Sequence, residues 1–186
     1  MQKNILICGV GGQGTVLAAK VLSQAAISSG ENVLSAETIG MAQRGGSVTS
    51  HVRIGSNIFS PLIPKGQADV IIAFEASEAA RNIEYLKKDG MVIVNKKVIQ
   101  PTTASLTGKT FCEDTMLDFL NKTSKNVICV DTDKACKELG SSKVANIVLL
   151  GAACKTGIIS KDEIKAALKM TVKPEFYELN CKALDY

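Results

Sequence analysis

Apolar positions along the 186-residue chain fall into two kinds of run that alternate. Short β-branched runs, several of them apolar throughout, mark strands that helices cover on both faces. They occur at Asn4–Val10, Asn32–Ala36, Val70–Phe74, Met91–Val94 and Val127–Asp131. Longer stretches with apolar residues every three or four positions mark helices. These occupy Thr15–Ser29, Ser77–Lys88, Glu113–Lys122, Lys134–Leu139 and Val144–Lys155. Regular alternation of the two predicts the α/β class, as a three-layer α/β/α, Rossmann-like domain with a mostly parallel sheet.

Residues 48–54 break the pattern. Val48, Ser50, Val52 and Ile54 alternate with Thr49, His51 and Arg53, which gives this strand one polar face. Gly55-Ser56-Asn57 offers a turn, and Ile58–Ile63 is expected to return as an antiparallel strand. Pro61 and Pro64 confine that return to an edge, so the sheet is expected to carry an antiparallel edge hairpin. Further on, Ser160 and Glu163 have the spacing of a capping box that opens a helix over 161–170. Pro174 is placed as the first residue of a terminal helix ending near Leu184. Ala18, Ala19, Ala25 and Ala26 allow the first helix a close approach to the sheet. No repeat or linker divides residues 1–186, which read as one domain with Gln100–Thr110 as its least structured segment.

Composition removes several function classes. Hydrophobic residues at 46% and charged residues at 22% are those of a globular chain. With no tryptophan and 4% aromatics, base-stacking platforms for single-stranded nucleic acid are not expected. The net charge of +4 is thinly spread and leaves no footprint for nucleic acid or a membrane surface. The six cysteines, Cys8, Cys112, Cys129, Cys136, Cys154 and Cys181, form no CxxC pair and no zinc or iron–sulfur spacing, so no metal site is expected. Their scatter suits a reducing compartment, which points to the cytoplasm. The N-terminal residues do not read as a signal peptide, and the apolar stretch Ile147–Cys154 is too short for a bilayer.

Candidate chemistry concentrates in two stretches. The first, "GVGGQGT" from Gly9 to Thr15, follows a strand and opens a helix. Gly9, Gly11 and Gly14 satisfy GxGxxG, in which glycines permit a tight turn, close approach of a ligand and close helix–strand packing. The free N–H groups and partial positive charge of the helix start suit an anion. A Walker motif fails, because Thr15-Val16 stands where GK[ST] should end it; Thr107-Gly108-Lys109-Thr110 fails too, with Thr103 in place of the leading glycine. Glu37 could serve as the acidic residue that an NAD-binding domain places after its second strand. Two readings stay open: a nucleotide or CoA phosphate site, and a tight strand-to-helix crossing only.

The second stretch is "GMAQRGGSVTSHVRIG", Gly40 to Gly55. Gly45-Gly46 permits a sharp turn while Arg44 projects a fixed fork of donors for a phosphate, a carboxylate or an acidic group on a neighbouring subunit. A solvated loop charge is the plainer alternative. In a parallel sheet the loop after Glu37 is expected beside the Gly9–Thr15 turn. His51, the only histidine, reads as a surface or interface residue, because no nucleophile or orienting carboxylate accompanies it. No catalytic residue is assigned.

Together the stretches resemble the beta subunits of indolepyruvate ferredoxin oxidoreductases, which belong with the gamma subunits and domains of 2-oxoacid:ferredoxin oxidoreductases. "GVGGQGT", "GMAQRGGSVTSHVRIG", "SPLIPKGQADVIIAFE", "GMVIVN", "ANIVLLGA" and "VKPEFYELNCKAL" match in order over nearly the whole chain. Ser60–Gly66 favours the indolepyruvate branch over those for pyruvate or 2-oxoglutarate; Ile39 and Ala42 depart from it, standing where histidine and serine are expected. The resemblance implies a subunit of an enzyme that converts an aryl 2-oxoacid, CoA and oxidised ferredoxin to aryl-acetyl-CoA, CO2 and reduced ferredoxin. It implies thiamine diphosphate and iron–sulfur clusters in a partner alpha subunit, CoA as co-substrate, and ferredoxin met through the complex. This chain has neither the GDG start of a thiamine diphosphate motif nor a CxxCxxC site, and is expected to be inactive alone. The cofactor-binding candidates are Gly9, Gly11, Gly12, Gln13, Gly14, Thr15, Arg44, Gly45, Gly46 and Ser47. An apolar docking patch is expected, which a homodimer would cover in the isolated chain. The competing class is a free-standing NAD(P)-binding protein using Glu37.

Overall fold

A computed structural model describes residues 2–39, 45–100 and 112–186. Arg44, Ala42 and nearly all of the 100–110 segment, including Thr103 and Thr107–Thr110, lie outside them. β1 (Lys3–Val10) leads through the glycine turn into α1 (Thr15–Ser28), followed by β2 (Val33–Ile39), β3 (Ser47–Ile54) and β4 (Ala68–Ala73). Then come α2 (Ala76–Asn82), β5 (Leu86–Asn95), α3 (Glu113–Thr123), β6 (Val127–Val130) and α4 (Thr132–Leu139). α5 (Ala145–Lys155), α6 (Lys161–Thr171) and α7 (Pro174–Asp185) complete the chain.

All six strands form one sheet in the order β2-β3-β1-β4-β5-β6. β1, β4, β5 and β6 run parallel, whereas β3 is antiparallel to both β1 and β2. The side chains of β1 divide cleanly. Ile5 and Ile7 enter one core with Val70, Ile72 and Ile93, under α1 and the C-terminal helices. Leu6 and Cys8 enter the other with Ile71, Val92 and Val94, under α2 and α3. A strand buried on both faces must be apolar at every position, which explains the unbroken run at its start. The small residues of α1 do pack as expected: Ala18, Ala19, Ala25 and Ala26 are all buried. Ser160 caps α6 by accepting from the Glu163 N–H, and Pro174 begins α7.

Three expectations are corrected. Residues 58–63 form no strand; the edge hairpin joins β3 to β2. Pro61 and Pro64 have no N–H for a ladder, and the remaining polar groups go elsewhere. The Arg53 guanidinium donates to the Ser60 and Leu62 carbonyls at 2.8 and 3.3 Å, while the Ile63 N–H donates to His51 Nδ1 at 3.1 Å. His51 is consequently a core residue, 4% exposed beneath this segment, with its ring edge-on to Tyr85. The helix expected over Ser77–Lys88 stops at Asn82; a 3-10 turn, Ile83–Tyr85, feeds β5 from Leu86. Gly90 permits this early start, since a Cβ there would lie 2.7 Å from Leu86 Cδ1 and 3.0 Å from the Ala68 carbonyl.

Candidate functional site

β1 and β4 are where the connections part, β2 lying to one side and β5 and β6 to the other. Ligands of open α/β sheets bind in the crevice at such a point, outside the carboxyl ends of the strands. A cleft of about 430 Å³ lies here, lined by Gly12, Gly14, Asn95, Lys97, Lys143 and Asn146 among others.

Three glycines of the turn have separate physical reasons. Gly9 sits in the strand, where a Cβ would lie 2.7 Å from Gln13 Oε1 and 2.8 Å from Phe74 Cβ. Gly14 caps α1 at φ +83° and lies against the Asn146 side chain, whose Nδ2 would be 2.9 Å from a Cβ. Gly12, at φ +98°, has open space where a Cβ would go. Close approach from outside is therefore possible at Gly12, and close packing is the reason for Gly9 and Gly14.

Three features give the cleft an anion-accepting character. No side chain caps the start of α1, and its first turn carries no acidic residue, so no side-chain anion offsets the helix dipole. Asn146 is 3% exposed. Its Oδ1 accepts from the Ile147 N–H, whereas Nδ2, against the turn, has no hydrogen-bond partner among the described residues. Nδ2 keeps access to the cleft it lines and can donate to an acceptor there. Lys143 adds a cation to the lining, while Lys97 is engaged by Asp133, both carboxylate oxygens lying 3.0 Å from its ammonium. Cys136 also lines the cleft. Burial, and then the Asp133 charge, push its thiol up and away from the nucleophilic thiolate.

The structure brings the two candidate stretches together but gives them different surroundings. The Gly11 N–H donates to the Gly46 carbonyl at 2.8 Å, so the Gly45–Ser47 stretch adjoins the turn as expected. That bond occupies the Gly11 donor. Gly45, Gly46 and Ser47 are absent from the cleft lining, and Ser47 Oγ instead donates to buried Glu78 at 2.5 Å. Thr15 is buried, and Gln13 serves internally through Val10 and Phe74. Among the described candidates, Gly12, Gln13 and Gly14 line the cleft. Asn95, Lys143 and Asn146 escaped the sequence reading because they arrive from distant segments. Their one local signal is polarity, in the case of Asn95 and Asn146, at the end or start of a buried apolar run.

The dinucleotide reading of Glu37 does not survive. Glu37 pairs with Ser50, which pairs with Ile7, so antiparallel β3 separates it from β1. Two strand spacings, about 10 Å, lie between the chains where a ribose contact requires neighbours. Elsewhere, no helix among the described residues is long and apolar enough to cross a membrane.

The chain matches the model of the pyruvate ferredoxin/flavodoxin oxidoreductase family over residues 4–186. It is 40% identical to the indolepyruvate oxidoreductase subunit IorB of Archaeoglobus fulgidus, over 99% of this chain and 92% of that one. The keto/oxoacid ferredoxin oxidoreductase gamma subunit from Geobacter sulfurreducens superposes with a TM-score of 0.69 at 28% identity, covering 98% of this chain and 94% of that one. A pyruvate oxidoreductase subunit from Thermotoga maritima gives 0.72 at 25% identity, with 99% and 93% covered. The chain belongs to the pyruvate ferredoxin/flavodoxin oxidoreductase family, as one subunit of such an oxidoreductase.

Proposed function

We propose that this chain is the non-cofactor-bearing subunit of an aryl 2-oxoacid ferredoxin oxidoreductase, and that its cleft holds the phosphates of CoA. The observation that carries the second part is the pairing of an uncapped α1 N-terminus with the unpartnered Asn146 amide. The aryl substrate rests on the name of the Archaeoglobus relative and on the Ser60–Gly66 segment. A helix start contributes about 0.3–1 kcal/mol to a bound anion, rising to about 2 kcal/mol where it is partly buried. Lys143 adds to this without needing to touch the reacting thioester.

Thiamine diphosphate supplies carbanion stabilisation in this chemistry, and iron–sulfur clusters carry away single electrons. The sequence has no GDG start of a thiamine diphosphate motif, and the described residues do not fit an iron–sulfur cluster. The cysteines are dispersed over β1, β6 and four other positions, and no three metal-ligating side chains converge among the described residues. On this reading both groups belong to the alpha partner, which meets ferredoxin. Docking has a surface suited to it: Phe59 is 92% exposed and Leu62 53% on a segment that Arg53 ties down from below. Arg44 keeps the two roles its sequence suggests, on the CoA phosphates or on the partner.

Calorimetric titration of the assembled complex with CoA tests the cleft. Gly12→Val and Lys143→Ala should each weaken CoA binding at least tenfold while the subunits still co-purify. Undiminished affinity in both variants would remove the cleft from the account. Arg44→Ala should lower either CoA affinity or complex yield, and whichever responds identifies its role.

A further inference from the structure

A side chain of the glycine turn stands between the two strands that flank the crevice. β1 stays paired with β3 as far as Val10, opposite Ser47, but is paired with β4 only to Cys8, opposite Ala73. The Phe74 N–H still donates to the Cys8 carbonyl at 2.8 Å. A regular parallel ladder would next run from the Val10 N–H to the Phe74 carbonyl. Here the Gln13 carboxamide lies between them: the Val10 N–H donates to Oε1 at 2.8 Å, and Nε2 donates to the Phe74 carbonyl at 3.1 Å. One ladder bond is replaced by two, and the strands part by the width of an amide. Gly9 makes room, because a Cβ there would crowd Oε1 at 2.7 Å.

Asn95 does the corresponding work on the far side. Its Nδ2 donates to the same Phe74 carbonyl at 3.1 Å, and its Oδ1 accepts from the Thr132 N–H at 3.4 Å where α4 begins. Asn95 is 4% exposed. Gln13, Phe74, Asn95 and Thr132 all line the cleft. Two carboxamides thus converge on one carbonyl and splice together the ends of β1, β4 and β5 and the start of α4.

We infer that Gln13 is a positioning residue, a wedge that sets the width of the crevice between β1 and β4, with Asn95 as its brace across Phe74. The inference rests on the proposal that this cleft receives CoA phosphates. Gln13 acts through the backbone it separates and has no part in the chemical step. Without its side chain, Val10 N–H and the Phe74 carbonyl satisfy each other directly, the ladder closes by one bond, and the turn at Gly12 follows β1 inward.

Two measurements on Gln13→Ala test this. Its crystal structure should show Val10 N and Phe74 O at about 3 Å, the length of an ordinary ladder bond; a gap still open would overturn the wedge. In the assembled complex, KM for CoA should rise at least tenfold while kcat stays within twofold of wild type. Gln13→Glu, which keeps the acceptor for Val10 but sets a carboxylate against the Phe74 carbonyl, should share the rise. Unchanged KM in both variants, in a complex whose wild type binds CoA, overturns the inference. A wild-type complex that shows no CoA binding at this cleft instead sinks the functional proposal, and the crystal structure still decides the wedge. Should Gln13→Ala fail to fold, Asn95→Leu, which removes the donor to Phe74 and the acceptor for Thr132 without adding charge to the cleft, replaces it in the kinetic test: a tenfold rise in KM supports the brace, and an unchanged KM overturns it.

Discussion

Exchanging the glycines of the turn for alanine, one at a time, separates packing from ligand approach. At Gly9 the backbone is not in the left-handed region, so alanine brings contact and no torsional strain. Its Cβ would meet Gln13 Oε1 at 2.7 Å, Phe74 Cβ at 2.8 Å and Thr15 Cγ2 at 3.0 Å. Phe74 and Thr15 are buried and cannot retreat, so the Gln13 amide must leave. Its two hydrogen bonds give way to one ladder bond, a net loss of about 1 kcal/mol, and overpacking adds about 1–3 kcal/mol. The expected total of about 2–4 kcal/mol corresponds to a melting point lower by about 4–16 °C for a domain of this size. Gly12→Ala meets nothing within 4 Å, and pays only for its φ of +98°. That strain is about 1–2 kcal/mol, or about 2–8 °C. Thermal unfolding by circular dichroism, with CoA titration on the same variants in the complex, gives both readings. Gly9→Ala should melt lower than Gly12→Ala, whereas Gly12→Ala should lose CoA affinity out of proportion to its stability. The reasoning is refuted if Gly12→Ala proves the less stable of the two, or if Gly9→Ala melts within 2 °C or so of wild type, about the smallest shift that 1 kcal/mol produces.

Three further outcomes are expected. Burial lowers the pKa of His51 from 6.5, and the bond from Ile63 requires its Nδ1 unprotonated. The unfolded chain therefore takes up a proton first as pH falls through 6.5, and stability drops toward acid. In urea unfolding, wild type should lose stability relative to His51→Gln between pH values of about 7 and 5.5, and a relative gain would contradict this. Ser160→Ala, which removes the cap on Glu163 N–H, should cost about 1 kcal/mol and lower the melting point by about 2–4 °C. Gly151→Ala should destabilise although alanine is favoured in a helix by about 1 kcal/mol. A Cβ there would lie 2.5 Å from the Leu184 carbonyl, so a higher melting point would mean that α5 and α7 are not packed this closely.

The sequence carried the elements better than their neighbours. The apolar run of β1, the glycines after it and the capping residues of α6 and α7 are local signals, and each element formed where its signal lay. Partner choice is not local. Nothing in the alternation at 48–54 says that β3 inserts between β1 and β2, yet that insertion displaces Glu37 and dissolves the dinucleotide reading. The polar face of β3 was legible, but its covering was not. Residues 58–63 close over it because two prolines bar a ladder and His51 and Arg53 take the free backbone groups. At the site, the location of the turn was legible and the division of labour within it was not. Gln13 reads in sequence as one more ligand-facing polar residue, and its use between Val10 and Phe74 depends on β4 lying alongside. Asn95 and Asn146 were visible only as polar residues bordering apolar runs, which is a weak signal without the fold.

Ferredoxin reduction with indolepyruvate and CoA, measured for this chain, for a purified partner carrying thiamine diphosphate and iron–sulfur clusters, and for the two recombined, bears most directly on the division of roles. Turnover should require both polypeptides and saturate with CoA, and adding the Gly12→Val chain in place of wild type should raise KM for CoA. Oxidation of a 2-oxoacid by the 186-residue chain alone, or full CoA-dependent activity of the partner without it, would contradict the account.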